Sequence, residues 1–161
     1  MLRSALHDVH LIILFPPLPM KLALGSDHAG FEQKEMLRTW LSGQGHDVQD
    51  FGTHSADSMD YPDVAHPLAA AVAAGDFELG LLLCGSANGV CITANKHVGV
   101  RAALAWLPEV AALARQHNNA NVLCVPARFV SAEQAREIVS TFLKTDFEGG
   151  RHQNRVAKIN C

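Results

Sequence analysis

The chain is poor in charge and in aromatics, and it lacks every feature that would mark it for nucleic acid or for a membrane. Charged residues make up 18% and aromatics 6% of 161 residues, and Tyr61 is the single tyrosine. The 13 Lys and Arg are scattered, and with a formal charge of −3 they form no basic stripe of the kind a duplex or RNA requires. No nucleic-acid partner is expected. No apolar run approaches membrane-spanning length: the run Leu11 to Phe15 stops at Pro16-Pro17, and no small-residue cleavage site follows it, so a span and a signal peptide both fit poorly. The four cysteines, Cys84, Cys91, Cys124 and Cys161, include no CxxC pair and no short disulfide framework, which points to a reducing compartment, with cytoplasm as the expectation. Nine histidines are present, but only His7 and His10 lie close together. Ligand spacing is missing, and no metal is expected. Neither GxGxxG nor the GKS/GKT of a Walker loop occurs at the turns described below, which argues against a nucleotide cofactor.

What is present is 48% hydrophobic residues, enough for one globular core. Residues 1–19 read as an extension outside the fold, disordered or translated from an upstream start, and the domain occupies 20–161. From Lys21 onward, strand-like apolar runs alternate with stretches at helical spacing, the pattern of βα units around a parallel sheet. Strands are expected at 21–25, 46–51, 79–84, 98–104 and 122–125. Helices are expected at 30–42, 64–74, 88–96, 108–116 and 131–143, the last opened by Ser131 with Glu133 and Gln134 in its first turn. The run at 79–84 is apolar throughout apart from Gly80, as a central strand buried on both faces should be. The tail, 147–159, is largely polar and is left for a partner surface. The fold class implied is a three-layer α/β/α sandwich with a five-stranded parallel sheet, and ligands are expected beyond the carboxyl ends of the strands.

The loops at those positions carry the chemistry. After the first strand comes Ser26-Asp27-His28-Ala29-Gly30. Asp27 either caps the helix that follows, since a carboxylate satisfies free N–H groups there, or it accepts a proton at the strand end while His28 meets an anion. After the third strand comes Cys84-Gly85-Ser86-Ala87-Asn88-Gly89. A thiol at the mouth of the sheet beside a helix N-terminus favours the thiolate, so Cys84 is a candidate base at neutral pH. The same N–H groups suit a developing enediolate oxygen, and the alternative is a small core cysteine. Arg151 and Arg155 are four apart and share a face if the tail is helical. Two guanidiniums so placed can grip a phosphate, with Arg128 and His28 as further anion contacts, although a solvated basic patch is the plainer reading.

Five of these segments, Ser26 to Gly30, Asp60-Tyr61-Pro62, Cys84-Gly85-Ser86 with Ala94-Asn95-Lys96, Arg115-Gln116-His117-Asn118, and Glu148 to His152, together resemble the ribose-5-phosphate isomerase B family, which includes galactose-6-phosphate isomerase subunits. The resemblance runs from Met20 to Ile159. It implies a Rossmann-like domain, no cofactor, a small phosphorylated sugar as ligand, and a homodimer with active sites between subunits, or a dimer of dimers. By the same resemblance Cys84 is the base moving a proton between C1 and C2. Ser86 and the following N–H groups, over Gly85, Asn88 and Gly89, hold the enediolate. Asp27 and His117 assist ring opening and proton shuttling, Tyr61 and Asn118 contact the sugar, and His28, Arg128, Arg151 and Arg155 hold the phosphate. One departure stands out: some members place a glutamate base just beyond this loop, where the present chain has Val90, which accepts no proton and leaves the duty to Cys84. The expected reaction is aldose–ketose isomerisation of ribose 5-phosphate and ribulose 5-phosphate. Allose 6-phosphate or galactose 6-phosphate is the near alternative, and a non-catalytic phosphosugar-binding regulator the more distant one. A flavodoxin-like electron carrier is disfavoured, because Asp27-His28 would crowd its phosphate.

Overall fold

The computed structural model describes residues 18–160; Cys161 and all but Leu18 and Pro19 of the expected extension lie outside the described residues. Five parallel strands, β1 Lys21–Ser26, β2 Asp47–Asp50, β3 Leu79–Cys84, β4 Ala102–Leu104 and β5 Val122–Pro126, pair in the order β2-β1-β3-β5-β4. The helices are α1 Phe31–Gly43, α2 Pro62–Ala73, α3 Asn88–Ala94, α4 Pro108–Asn118, α5 Ala132–Lys144 and α6 Arg151–Ala157. Among the described residues no helix is long and apolar enough to cross a membrane.

Side chains alternate across a strand, and the two cores follow that alternation. Leu22, Leu24, Leu81, Leu83, Leu123 and Val125 face one layer, where they meet Leu37 and Leu41 of α1 and Ile138 and Phe142 of α5. Ala23, Leu82, Cys84, Val122 and Cys124 face the other, against Val64, Leu68 and Val72 of α2 and Val90 and Ala94 of α3. Helices therefore cover both faces, and β3 is buried along its whole length. This is the Rossmann-like three-layer sandwich with a five-stranded parallel sheet expected from the pattern. The Ser131 signal is a full capping box: its Oγ accepts from Gln134 N at 3.1 Å, and Gln134 Oε1 accepts from Ser131 N at 2.8 Å.

Two elements differ from expectation. The fourth strand is three residues, not 98–104, because 98–101 is drawn into a turn: Val100 N donates to the His97 carbonyl at 3.1 Å and Arg101 N to Asn121 Oδ1 at 2.7 Å. The result is a short edge strand, further blunted by Asn95, whose side-chain amide pairs with both backbone groups of Ala102 (2.8 and 2.9 Å). The tail, in turn, forms α6 and packs back on α4, with Glu148 N donating to the Gln116 carbonyl at 3.1 Å.

Strand order reverses between β1 and β3. β1 leads to β2 on one side, and the chain then crosses to β3 on the other, which opens a crevice at their carboxyl ends.

Candidate active site

Register places Ser26 beside Leu83, so the residues that follow, Asp27 and Cys84, meet across that crevice. Asp27 N donates to the Leu83 carbonyl at 3.2 Å, which ties the turn to the end of β3. Gly30 permits this approach, since a Cβ there would lie 2.8–2.9 Å from Leu83 atoms. Asp27 caps the turn that follows it and also meets Cys84. Oδ1 accepts from Gly30 N at 3.1 Å and caps a short 3-10 turn, His28–Gly30, while Oδ2 accepts from Cys84 Sγ at 3.0 Å.

That second bond corrects the electrostatic expectation for Cys84. Burial first, then the hydrogen bond and charge of Asp27, push its thiol up to about 11, and the N–H groups of Ala87 and Gly85 pull only weakly the other way. A short helix beginning at Asn88 does not overcome desolvation next to a carboxylate. At neutral pH the group is a thiol donating to Asp27, not a free thiolate.

The loop after Cys84 turns through Ala87, which is held in the left-handed region (φ 63°) with its methyl fully buried, while Ser86 and Asn88 are exposed. Tyr61 lies across the first turn of α3: a Cβ on Gly89 would come within 2.7 Å of its ring Cε2, so glycine is what lets the ring rest there. Arg128 reaches the same loop from the far side, its guanidinium over Gly85 and its N donating to the Gly85 carbonyl at 3.1 Å. His28 Nδ1 accepts from Met59 N at 3.3 Å, which orders the segment just before Tyr61. Asp27, His28, Tyr61, Cys84, Gly85, Ser86, Asn88, Gly89 and Arg128 thus converge on one edge of the sheet.

His117, Asn118, Arg151 and Arg155 do not join them. His117 and Asn118 close α4, immediately before β5 begins at Val122, whereas Cys84 is level with Pro126 at the other end of β5. Four residues of parallel strand separate those levels, about 13 Å at 3.3 Å per residue. The hollows differ too: Ser86 and Asn88 line one of about 530 Å³ with Trp106, Leu107 and Phe129, and Asn118 lines another of about 540 Å³ beside Lys96 and Arg101. The candidate residues therefore do not all lie beyond the strands' carboxyl ends, as the sequence pattern led us to expect. Arg151 and Arg155 are exposed and one helical turn apart on α6.

Several residues with positioning roles escaped the sequence reading. Gln33 on α1 donates from Nε2 to the carbonyls of Ala127 and Val130 (3.1 and 2.9 Å), clamping the turn that carries Arg128. Lys34 is fully buried, with Nζ 2.6 Å from Asp50 Oδ2 and 2.8 Å from Glu35 Oε1; Asp50 also accepts from Gly52 N, at the start of the loop leading to Tyr61. A lysine in an amphipathic helix gives no local sign of such burial. His152 was visible within the Glu148 to His152 segment, but its role was not. Its ring is buried and stacks on His117 (centroids 4.2 Å, 10° between planes), and burial, followed by the neighbouring His117, lowers its pKa.

Ligand atoms of His117, Glu148 and His152 lie within 4.8 Å of one another. Imidazole lone pairs lie in the ring plane, and two nearly parallel rings aim them side by side and not at one point. The trio would bind an ion only after one ring turned.

Comparison with known proteins gives a consistent result. The Ribose/Galactose Isomerase family model matches residues 22–159. Ribose-5-phosphate isomerase B of Escherichia coli (strain K12) is 45% identical over 141 residues, 88% of this chain and 95% of that protein. A ribose 5-phosphate isomerase crystal structure from Thermotoga maritima superposes with a TM-score of 0.85 at 48% identity, covering 86% of this chain and 96% of that one. Ribose-5-phosphate isomerase B of Mycoplasma genitalium, solved with bound ribulose-5-phosphate, gives 0.83 at 46% identity over 86% and 93% of the two chains.

Proposed function

The chain belongs to the ribose/galactose isomerase family, and we propose that it interconverts ribose 5-phosphate and ribulose 5-phosphate through an enediolate, with Cys84 and Asp27 working as a pair. The observation that carries the mechanism is the 3.0 Å bond from Cys84 Sγ to Asp27 Oδ2 at the sheet's switch point. A thiol held near 11 cannot by itself serve as a base at neutral pH. Asp27 supplies the missing step: it takes the thiol proton along the existing hydrogen bond, the sulfur removes the proton from C2 and returns it to C1 while the hydroxyl proton passes from O2 to O1 of the enediolate, and Asp27 then gives the thiol its proton back. N–H groups of the Gly85 to Gly89 turn and the Ser86 hydroxyl meet the charge that develops on the substrate oxygen. Tyr61 closes over the sugar, and His28 and Arg128 contact the phosphate.

Ring opening and the rest of the phosphate grip fall to His117, Asn118, Arg151 and Arg155, which one chain leaves at the wrong edge of its sheet. We assign them to the neighbouring site of a homodimer, so that each site takes its Cys84 from one copy and its His117 from the other. Val98 at one hollow and Trp106 and Phe129 at the other each expose more than half their surface, and apolar exposure of that kind around both hollows suits a second copy. A reducing, cytoplasmic setting fits the free thiols Cys84, Cys91 and Cys124. No step of this route calls on a cofactor.

The deciding experiment is a coupled isomerase assay on aldose phosphates of four to six carbons in EDTA, run in parallel in deuterated water. Turnover of ribose 5-phosphate, with solvent deuterium entering the product, is the expected result. Preference for a six-carbon substrate would move the chain to the other branch of the family, and undiminished turnover by a Cys84→Ala variant would remove Cys84 from the role of base.

A further inference from the structure

A cluster of metal-ligating side chains lies away from the thiol and carboxylate at the sheet's carboxyl edge. His117 stands in the last turn of α4, His152 in the first turn of α6, and Glu148 precedes that helix, one helical repeat before His152. The hydrogen bond from Glu148 N to the Gln116 carbonyl at 3.1 Å holds the two segments together. His152 Nε2 and Glu148 Oε2 are 3.6 Å apart, and one ligand atom from each of the three residues falls within 4.8 Å of the others. His152 is buried, His117 half-buried and Glu148 exposed, so the cluster has a fixed floor and an open mouth. Its members come from segments far apart in the chain, and local spacing in the sequence therefore gives no sign of it.

We propose that His117, Glu148 and His152 form a zinc site, and that zinc held there inhibits the enzyme by withdrawing His117 from ring opening. The inhibition rests on the isomerase reading, whereas the binding does not. Two imidazoles and one carboxylate are a donor set that zinc takes at about 2.0–2.2 Å, with a fourth position left for water. An ion at that distance fits between His152 Nε2 and Glu148 Oε2 as they stand, at an angle of roughly 120° between the two bonds.

The third ligand requires movement. Tetrahedral donors around zinc are roughly 3.3 Å apart, so the His117 nitrogen, within 4.8 Å of the other two atoms, has to close in by at most about 1.5 Å. Turning the half-buried His117 ring about its Cβ–Cγ bond breaks the parallel stack on His152 and lets its in-plane lone pair converge with the other two. The ring that would open the sugar is then bound to metal. Arg151 and Arg155, exposed on α6 beside His152, oppose a cation at this point, so the site should bind more weakly than a structural zinc centre.

The test uses the full-length chain, stripped with EDTA and then freed of chelator, with zinc chloride titrated in calorimetry and cobalt(II) added as a spectroscopic probe. A single zinc per chain is expected, and cobalt should bind without the near-ultraviolet absorption of thiolate ligation. Glu148→Ala, at an exposed position, should weaken zinc binding by about tenfold or more, since even outer contacts to a metal ligand are worth that much. The zinc concentration that halves turnover of ribose 5-phosphate, measured against each protein's own metal-free rate, should rise by the same factor, and EDTA should restore the zinc-treated wild type. His152→Gln is the second variant, should the first leave the other two ligands holding the ion, and it should weaken binding at least as much. Undiminished zinc binding in both variants, or a thiolate band with cobalt, places the metal elsewhere and overturns the proposal; binding that depends on the trio but leaves turnover untouched overturns the inhibition. Calorimetry and cobalt absorption are read without substrate, so a failed metal site and a failed isomerase assignment give different results.

Discussion

The two halves of the candidate site are built differently. Asp27 and Cys84 are buried at the ends of adjacent strands, and their 3.0 Å bond follows from the register that puts Ser26 beside Leu83. His117, Arg151 and Arg155 sit toward the ends of helices at the opposite edge, where Glu148 N donates to the Gln116 carbonyl, Arg115 Nε donates to the Thr145 carbonyl and His152 stacks on His117. Backbone register can hold a proton-transfer pair to within a few tenths of an ångström. Exposed helix ends cannot do so alone, and their chemistry depends on what they are pressed against.

The sharpest way to break that comparison is to damage each half separately. Cys84→Ala should lower kcat by about 10² to 10⁴, the usual worth of a positioned base, with KM little changed. His117→Ala should also be deeply impaired. When the two variants are mixed at equal concentration and allowed to exchange subunits, half the dimers are mixed and carry one intact site of two, so about a quarter of wild-type activity should return. No recovery in an assay where subunit exchange is demonstrated would place both halves in one chain. It would contradict the split seen between the ends of β5.

A smaller effect tests how the carboxyl-edge half is supported. Lys34→Met leaves Asp50 without its buried cation, and about 3 kcal/mol of stability should be lost in urea denaturation. Because Asp50 anchors the loop leading to Tyr61, KM should rise in the protein that remains folded. A wild-type denaturation midpoint would show the ion pair to be dispensable. On the helix-edge half, Arg151→Ala or Arg155→Ala should raise KM by about tenfold, as expected for one charge-assisted contact to phosphate, with a lesser fall in kcat. An unchanged KM in both would return the pair to a solvated surface patch.

The smallest expected effect concerns pH. His46 accepts a hydrogen bond from Met20 N at 3.1 Å, and burial lowers its pKa from 6.5. The unfolded chain therefore binds a proton more readily, so this contribution is complete above pH 6.5 and is lost as the pH falls through the folded value. The melting temperature should decline from pH 7 to 5; His152, whose pKa burial also lowers, adds to the same slope, so His46→Gln, which keeps an acceptor, should reduce the slope without abolishing it. Glu35, held at about 2 chiefly by its hydrogen bond to Arg38, titrates below this range and does not blur the reading.

The amino-acid sequence by itself determined the alternation of strands and helices, the buried β3, the capping box at Ser131 and the presence of loops at the carboxyl ends of β1 and β3. All of these are local or periodic, and a period of two or of 3.6 residues is written directly in the order of side chains. It did not determine the length of β4, which the pull of Asn121 and the His97 turn shortened, nor the burial of Lys34, whose partner Asp50 comes from another element. Nor did it determine the protonation of Cys84, where a helix N-terminus suggested a thiolate and the fold produced a thiol. That outcome depends on the distance from Cys84 to a carboxylate 57 residues away in the chain and on how much water the sheet edge excludes. Only the tertiary structure sets those quantities, because desolvation and charge act through space between groups whose separation in sequence carries no information about it.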